Sequence, residues 1–248
     1  MTNFVVVIPA RFASERLPGK ALREIAGKSM LQHVFERGTE SEATEVLIAT
    51  DDQRIVDAAN GFGATALMTG SQHRSGTERI AEVSESCNWA DDQIVVNLQG
   101  DEPMMPAELI NQCAALLDDD SVDMATLASP LASQADYENP NVVKVVSDDD
   151  GKALYFSRSS IPYSRNDKTD DLAVLTAMHH HGIYAYRCGT LKTIISAERS
   201  DLEACEQLEQ LRALSIGLKI KVAMALSRPP AGVDTEQDLA QVESLLSE

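Results

Sequence analysis

The chain has 248 residues, 44% of them hydrophobic and 24% charged, with a formal net charge of −18. That length gives ample core for one large domain or two small ones. Such acidity argues against non-specific binding to nucleic acid, which rests on neutralising phosphates with Lys and Arg, and against docking on an anionic membrane.

No apolar run approaches the roughly 20 residues that cross a bilayer. The N-terminus passes directly into a strand-like segment, without the basic region and cleavage site of a signal peptide, so the chain is expected to be cytoplasmic. Cys87, Cys113, Cys188 and Cys205 form no C-x-x-C pair. They read as reduced, mostly buried thiols rather than disulfides or a zinc site.

Phe4 to Ile8 is short, apolar and mostly β-branched, the pattern of a buried central strand. The loop that follows, residues 9–20, carries Arg11, Arg16 and Lys20 around Pro18-Gly19, with Glu15 as its single anion. It leaves the C-terminal end of the strand, where open α/β sheets bind ligands. Three cations there, in so acidic a chain, point to a polyanionic small molecule such as a nucleoside triphosphate. Helical spacing runs from Met30 to Arg37. A second strand is expected at 45–50, a helix from Asp51-Asp52 to Gly61, a short strand at 64–68, a helix at 77–87 and a strand at 93–98. Alternation of this kind implies an α/β fold, a doubly wound, mostly parallel sheet covered on both faces.

The pattern changes near residue 120. Strand-like segments at 124–131, 142–147, 153–157 and 182–186 follow one another, with Pro140, the run Asp148 to Gly151, and Pro162 between them. This reads as a β-rich insertion, approximately 123–190, within a single domain of 1–248. Residues 164–177 read as a mobile polar loop. Leu202, Cys205, Leu208, Leu211 and Leu214 mark one further helix, 220–226 a strand and 235–246 the last helix. Gly27-Lys28-Ser29 resembles the end of a P-loop, but Leu22 stands where that motif needs glycine. Gly61-Phe62-Gly63 follows a helix, so helix termination explains it better than a dinucleotide fingerprint.

Several short stretches carry possible chemistry. In Asn97 to Pro103, Gly100 permits a tight turn and Asp101 presents a carboxylate just past a strand end. That suits a Mg²⁺ ligand, which pairs one or two carboxylates with substrate phosphates; the plainer reading is a turn aspartate bonded to its own backbone. Asp234 is a second such carboxylate or simply an acid at a helix start, where Thr235 and Asp238 make a capping-box-like pair. Ser75 and Gly76 open a helix, a place for anion contacts or for an ordinary N-cap. Arg158 and Arg165 suit bidentate capture of a carboxylate, or solvation at the surface. His179, His180 and His181 lead into a strand, so neighbouring rings face opposite ways and cannot all ligate one ion. A substrate hydrogen bond from one of them is the better reading. Glu209 and Gln210 alternate with leucines and, by pattern alone, are solvated helix residues.

Taken together, these motifs resemble the 3-deoxy-manno-octulosonate cytidylyltransferase (CMP-Kdo synthetase) family of lipopolysaccharide synthesis. The matching stretches are Pro9 to Lys20, Ser75 to Arg79, Val96 to Pro103, Ala153 to Arg158, His180 to Tyr186, Leu208 to Arg212 and Gly232 to Thr235. The resemblance implies a fold of the nucleotide-diphospho-sugar transferase type, a homodimer, and formation of CMP-Kdo and diphosphate from CTP and Kdo. It puts Ala10, Arg11, Arg16, Lys20, Ser75 and Gly76 on the nucleotide. It puts Gln99, Arg158, Arg165, His180, Tyr186, Glu209 and Gln210 on the sugar, and Asp101 and Asp234 on Mg²⁺, with Lys20, Asp101 and Asp234 as the catalytic set. Glu15, Ala21, Ser29 and His179 depart from the family pattern. An 8-amino analogue of Kdo as substrate, and a catalytically silent nucleotide-binding module, are the alternatives.

Overall fold

A computed structural model describes residues 2–13, 17–165, 174 and 176–246. Arg16 and Glu15 lie outside the described residues, as does most of the loop expected at 164–177. From the N-terminus, β1 (Phe4–Ala10) leads through the basic loop to a small hairpin, β2 (Glu24–Ile25) and β3 (Lys28–Ser29), and to α1 (Met30–Thr39). Then follow β4 (Glu45–Thr50), α2 (Gln53–Gly61), β5 (Thr65–Met68), α3 (Gly76–Ser86), β6 (Ile94–Asn97) and α4 (Ala107–Ala115). The second half runs β7 (Met124–Pro130), α5 (Gln134–Glu138), β8 (Lys144–Ser147), β9 (Ala153–Ser157) and β10 (Met178–Arg187). It ends with α6 (Cys188–Ser196), α7 (Asp201–Glu206), α8 (Gln210–Ser215), β11 (Ile220–Met224) and α9 (Glu236–Leu246).

The main sheet has the order β11-β7-β10-β6-β1-β4-β5, with β8 and β9 added beside β10. Along that path only β10 runs against the others. Successive side chains of β1 go to different cores, as a strand buried on both faces requires. Phe4, Val6 and Ile8 pack with Leu31 and Val34 of α1, Ile55 of α2 and Leu109 of α4. Val5 and Val7 pack on the other face with Ile80 and Val83 of α3, Leu191 of α6, and Leu208 and Leu211. The doubly wound reading holds.

The β-rich stretch is woven into this sheet. β7 and β10 are interior strands of it, and the β8–β9 pair extends it where Met178 and His179 pair with Val145 and Lys144. β10 begins four residues before the segment expected at 182–186, because His179 finds partners on both sides, Ser129 and Lys144. The helix expected across Leu202 to Leu214 is two, α7 and α8. Gln207 between them is left-handed, with φ 54°, and no α-helix passes through that conformation. The P-loop look-alike is the turn of the β2–β3 hairpin, and its Ser29 caps α1 through Gln32 N at 3.2 Å. Two of the four thiols, Cys113 and Cys188, are buried, while Cys205 is exposed and Cys87 half-buried; all four are free.

Candidate active site

The C-terminal ends of β1 and β6 lie side by side, since Val5 pairs with Val95 and Val7 with Asn97. The chain must turn away sharply after β6, and Gly100 lets it do so against β1. A Cβ at Gly100 would stand 2.8 Å from the Pro9 carbonyl oxygen. Asp101 is thereby held at the foot of the basic loop. The segment before α9 arrives at the same place: Val233 N donates to the Asp101 carbonyl at 2.8 Å. Asp234 follows, and its amide and that of Thr235 donate to Asp238 Oδ2 at 3.0 and 2.8 Å, the capping pair read from the sequence.

Lys20 Nζ stands between the two acids, 2.8 Å from Asp101 Oδ2 and 2.8 Å from Asp234 Oδ1. Residues 101 and 234 are therefore one constellation. Burial acts to lower the Lys20 pKa, but the two carboxylates outweigh it and raise the pKa above its ordinary value. The adjacent Glu102 has its carboxyl pushed up to about 8, first by burial and then by Asp101, with Lys20 opposing. Among the described residues no cluster of three or more His, Cys, Asp or Glu side chains is arranged to hold a metal ion. Two convergent carboxylates offering only oxygen nevertheless match Mg²⁺, a hard cation that completes its shell with waters and substrate phosphates. The donor set fits that metal.

Two chambers open from this point. The first, about 800 Å³, is lined by Ala10, Arg11, Lys20, His73, Arg79 and Asp234 among others. The second, about 500 Å³, is lined by Asn97, Arg158, His180, Tyr186, Gln210 and Arg212 among others. Ser75, Gly76, Gln99, Asp101 and Glu209 line both and form the wall between them. Of the residues assigned above to nucleotide, sugar or metal, Arg16 lies outside the described residues, and among the described ones only Arg165, which is exposed, lines neither chamber.

Ser75 is both an N-cap and a wall residue. Its hydroxyl accepts from Glu78 N at 3.2 Å while α3 points its N-terminus at the chambers. Of the two residues read as solvated, Gln210 is buried, while Glu209 is exposed and stands at the N-cap just ahead of α8. The left-handed Gln207 ends α7 and redirects the chain, so that Glu209 accepts from Thr77 Oγ1 at 2.8 Å and Gln210 is buried. Confinement raises the Glu209 pKa, against hydrogen bonds from Thr77 and Ser75 that lower it.

Arg158 lines the second chamber, yet its guanidinium is engaged by backbone. Nε donates to the Glu206 carbonyl at 2.7 Å and Nη1 to the Pro140 carbonyl at 3.1 Å. In this structure it clamps the turn after α7 and grips no carboxylate. His180 points away from its two neighbours, whose rings pack on each other with centroids 5.0 Å apart. Its Nε2 lies 3.1 Å from Thr126 Oγ1. Burial, then His181 and His179, lower its pKa to about 3, so the ring is neutral at physiological pH. Tyr186 is 1% exposed, and burial raises its pKa.

Several lining residues were not selected from the sequence. Arg79, 3% exposed, donates to Asp51 Oδ2 at 3.0 Å and contacts Thr69 Oγ1. His73 contacts Glu82, which also accepts from Gly70 N at 2.9 Å. Arg212 makes a two-bond pair with Glu203, at 2.8 and 2.7 Å. Arg79 and Arg212 each close a motif read above, and that was the available signal. Among the described residues, three buried polar atoms lack a hydrogen-bond partner: Asn97 Oδ1, His179 Nδ1 and Gln210 Nε2. All three residues line the second chamber. Buried polar groups are rarely left unpaired, so this concentration marks a polar ligand pocket.

Comparison with known proteins agrees with this geometry. The sequence profile of the family described as cytidylyltransferase matches residues 5–220. A 3-deoxy-manno-octulosonate cytidylyltransferase of Photobacterium profundum is 51% identical over 246 residues, 98% of this chain and 99% of that one. One from Actinobacillus pleuropneumoniae is 49% identical over 249 residues, covering 99% of this chain and all of its own. Among solved structures, a CMP:2-keto-3-deoxy-manno-octonic acid synthetase complexed with CTP superposes with a TM-score of 0.91 at 41% identity, over 99% of this chain and 98% of that one. A Leptospira borgpetersenii cytidylyltransferase, 16% identical with a TM-score of 0.64, covers all of this chain and 87% of its own and shares the fold. Sequence, fold and paired chambers thus place the chain among the nucleotidyltransferases, as a member of the 3-deoxy-manno-octulosonate cytidylyltransferase family.

Proposed function

We propose that this chain activates Kdo with CTP, giving CMP-Kdo and diphosphate for lipopolysaccharide synthesis, with Mg²⁺ as cofactor. The observation that carries the reading is the shared wall. Two chambers, one edged by Arg11 and Lys20 and the other lined with unpaired polar atoms, meet at Asp101 and Glu209. Phosphoryl transfer asks a protein mainly for positioning and charge neutralisation. CTP lies in the larger chamber with its phosphates toward Arg11, Lys20 and the N-terminus of α3 at Ser75 and Gly76. Kdo lies in the smaller one beside Gln99, His180, Tyr186, Glu209 and Gln210. Its anomeric hydroxyl then faces the α-phosphorus across the wall, opposite the departing diphosphate. Asp101 and Asp234 would hold Mg²⁺, which supplies charge neutralisation at the phosphates and lowers the pKa of a nearby hydroxyl. His180, with a pKa near 3, takes up no proton at neutral pH and serves as a neutral hydrogen-bonding ring.

The working form we propose is a cytoplasmic homodimer. No helix among the described residues is long and apolar enough to cross a membrane. Leu154 of β9 and Met224 of β11, exposed at 60% and 53%, offer apolar surface for a second copy. Diphosphate release measured with CTP and Kdo, with and without EDTA, tests the activity. Asp101→Ala should cost on the order of 3 kcal/mol in the barrier, about a hundredfold in kcat, as loss of one preorganised electrostatic group does. Turnover near normal in that variant at saturating Mg²⁺ would sink the assignment.

A further inference from the structure

The two acids proposed to hold Mg²⁺ already have a cation between them. Lys20 Nζ is 2.8 Å from an oxygen of each, and its side chain is only 13% exposed while those of Asp101 and Asp234 are 37% and 47% exposed. The two engaged oxygens therefore lie no further apart than twice that distance, and share one nitrogen. Two carboxylates brought this close repel each other unless a positive charge stands between them. Their backbones leave them little room to separate. Val233 N is bonded to the Asp101 carbonyl, and Gly232 packs so closely on Glu102 that an added Cβ would lie 2.8 Å from Glu102 Oε1. Lys20 itself has a second place to go, because it also lines the larger chamber beside Arg11.

We infer that Lys20 is the resident cation of the Asp101–Asp234 site, and that it must vacate these oxygens before a divalent cation can take them. The inference rests on the metal assignment made above and adds an order to it. Without nucleotide, the ammonium competes directly with a bare metal ion for the same two oxygens. A triphosphate in the larger chamber offers Lys20 an alternative anion, so nucleotide and metal binding reinforce each other, and by linkage they do so reciprocally. The same side chain thus keeps two acids assembled in one state and neutralises phosphate in the other.

The test uses metal alone. Mn²⁺ binding to the full chain without nucleotide is followed by electron paramagnetic resonance of the unbound ion, for the wild type, Lys20→Met and Asp101→Asn. The Met variant should bind Mn²⁺ at least tenfold more tightly than the wild type, and Asp101→Asn should lose the site. Melting temperature supplies a second reading. In EDTA the Met variant should melt below the wild type, and Mg²⁺ should restore it, while the wild type is nearly indifferent to Mg²⁺. A lysine that served only to pack the loop would show no such recovery. If Lys20→Met does not fold, Lys20→Gln, which keeps a polar stem without the charge, gives the same comparison. Equal Mn²⁺ affinity in wild type and variant overturns the competition while leaving the acids as ligands. Mn²⁺ binding that survives Asp101→Asn overturns the metal site itself.

Discussion

Gly232→Ala isolates what brings the second carboxylate to the first. A Cβ there would lie 2.8 Å from Glu102 Oε1 and 3.1 Å from the Asp101 carbonyl oxygen, where ordinary contact begins at 3.4 Å. Relief takes a retreat of roughly half an ångström, about the tolerance of a catalytic constellation. Val233 and Asp234 move with it, so the 2.8 Å bond from Val233 N to the Asp101 carbonyl stretches. Crowding of this kind costs about 1–3 kcal/mol in stability. Since a displacement near 1 Å can cost a hundredfold in rate, half of that should cost roughly tenfold. The assay is kcat/KM for diphosphate release across a Mg²⁺ series. The variant should need several times more Mg²⁺ for half-maximal rate, with KM for Kdo less affected than kcat. Adding Glu102→Ala removes the nearer obstacle and should recover part of the loss, because the carbonyl at 3.1 Å remains. If Gly232→Ala keeps the wild-type rate and Mg²⁺ dependence, close approach does not position Asp234.

Two further perturbations probe the frame around the smaller chamber. Glu203→Ala removes both hydrogen bonds that this carboxylate accepts from Arg212, whose side chain is 10% exposed, and leaves the guanidinium with Glu78 at 3.9 Å. Breaking such a buried pair costs about 3–5 kcal/mol, or roughly 6–12 °C in Tm at the low end for a chain of this size; a urea-unfolding loss under 1 kcal/mol would contradict it. His181 is 7% exposed, and burial, then His179 and Arg228, lower its pKa to about 3 from 6.5. In the unfolded chain this imidazole takes up its proton near pH 6.5 and in the folded chain only near 3. Its contribution is therefore intact above pH 6.5 and is lost as pH falls toward 3. At pH 5 the loss is on the order of 2 kcal/mol. Urea unfolding at pH 7 and pH 5 should show His181→Asn losing less between the two than the wild type does. Parallel losses would refute a neutral, buried ring.

What the sequence disclosed and what it hid divide along local and non-local causes. The strand at 45–50 and the capping pair Thr235–Asp238 were legible because their determinants, a short apolar run and a hydroxyl three residues before a carboxylate, lie within a few positions. The break at Gln207 was not. Nothing in Leu202 to Leu214 breaks the helical spacing of leucines, yet the carbonyls of Glu206 and Gln207 face the guanidinium of Arg158, which directly follows β9 almost fifty residues away. A side chain that looked suited to a substrate carboxylate is thus bonded to the turn that brings Glu209 to Thr77 and buries Gln210. The pairing of Asp101 with Asp234 shows the same dependence. Each carboxylate alone supports an ordinary turn or cap, and its chemistry exists only because Gly100 and Gly232 let three backbone segments approach without side chains between them. In this chain the residues that do the chemistry announce their type in the sequence, whereas the residues that assemble them are glycines, a left-handed glutamine and an arginine bonded to carbonyls. Substitutions at those assembling positions should therefore change metal dependence and sugar KM while every group proposed to touch a substrate remains in place.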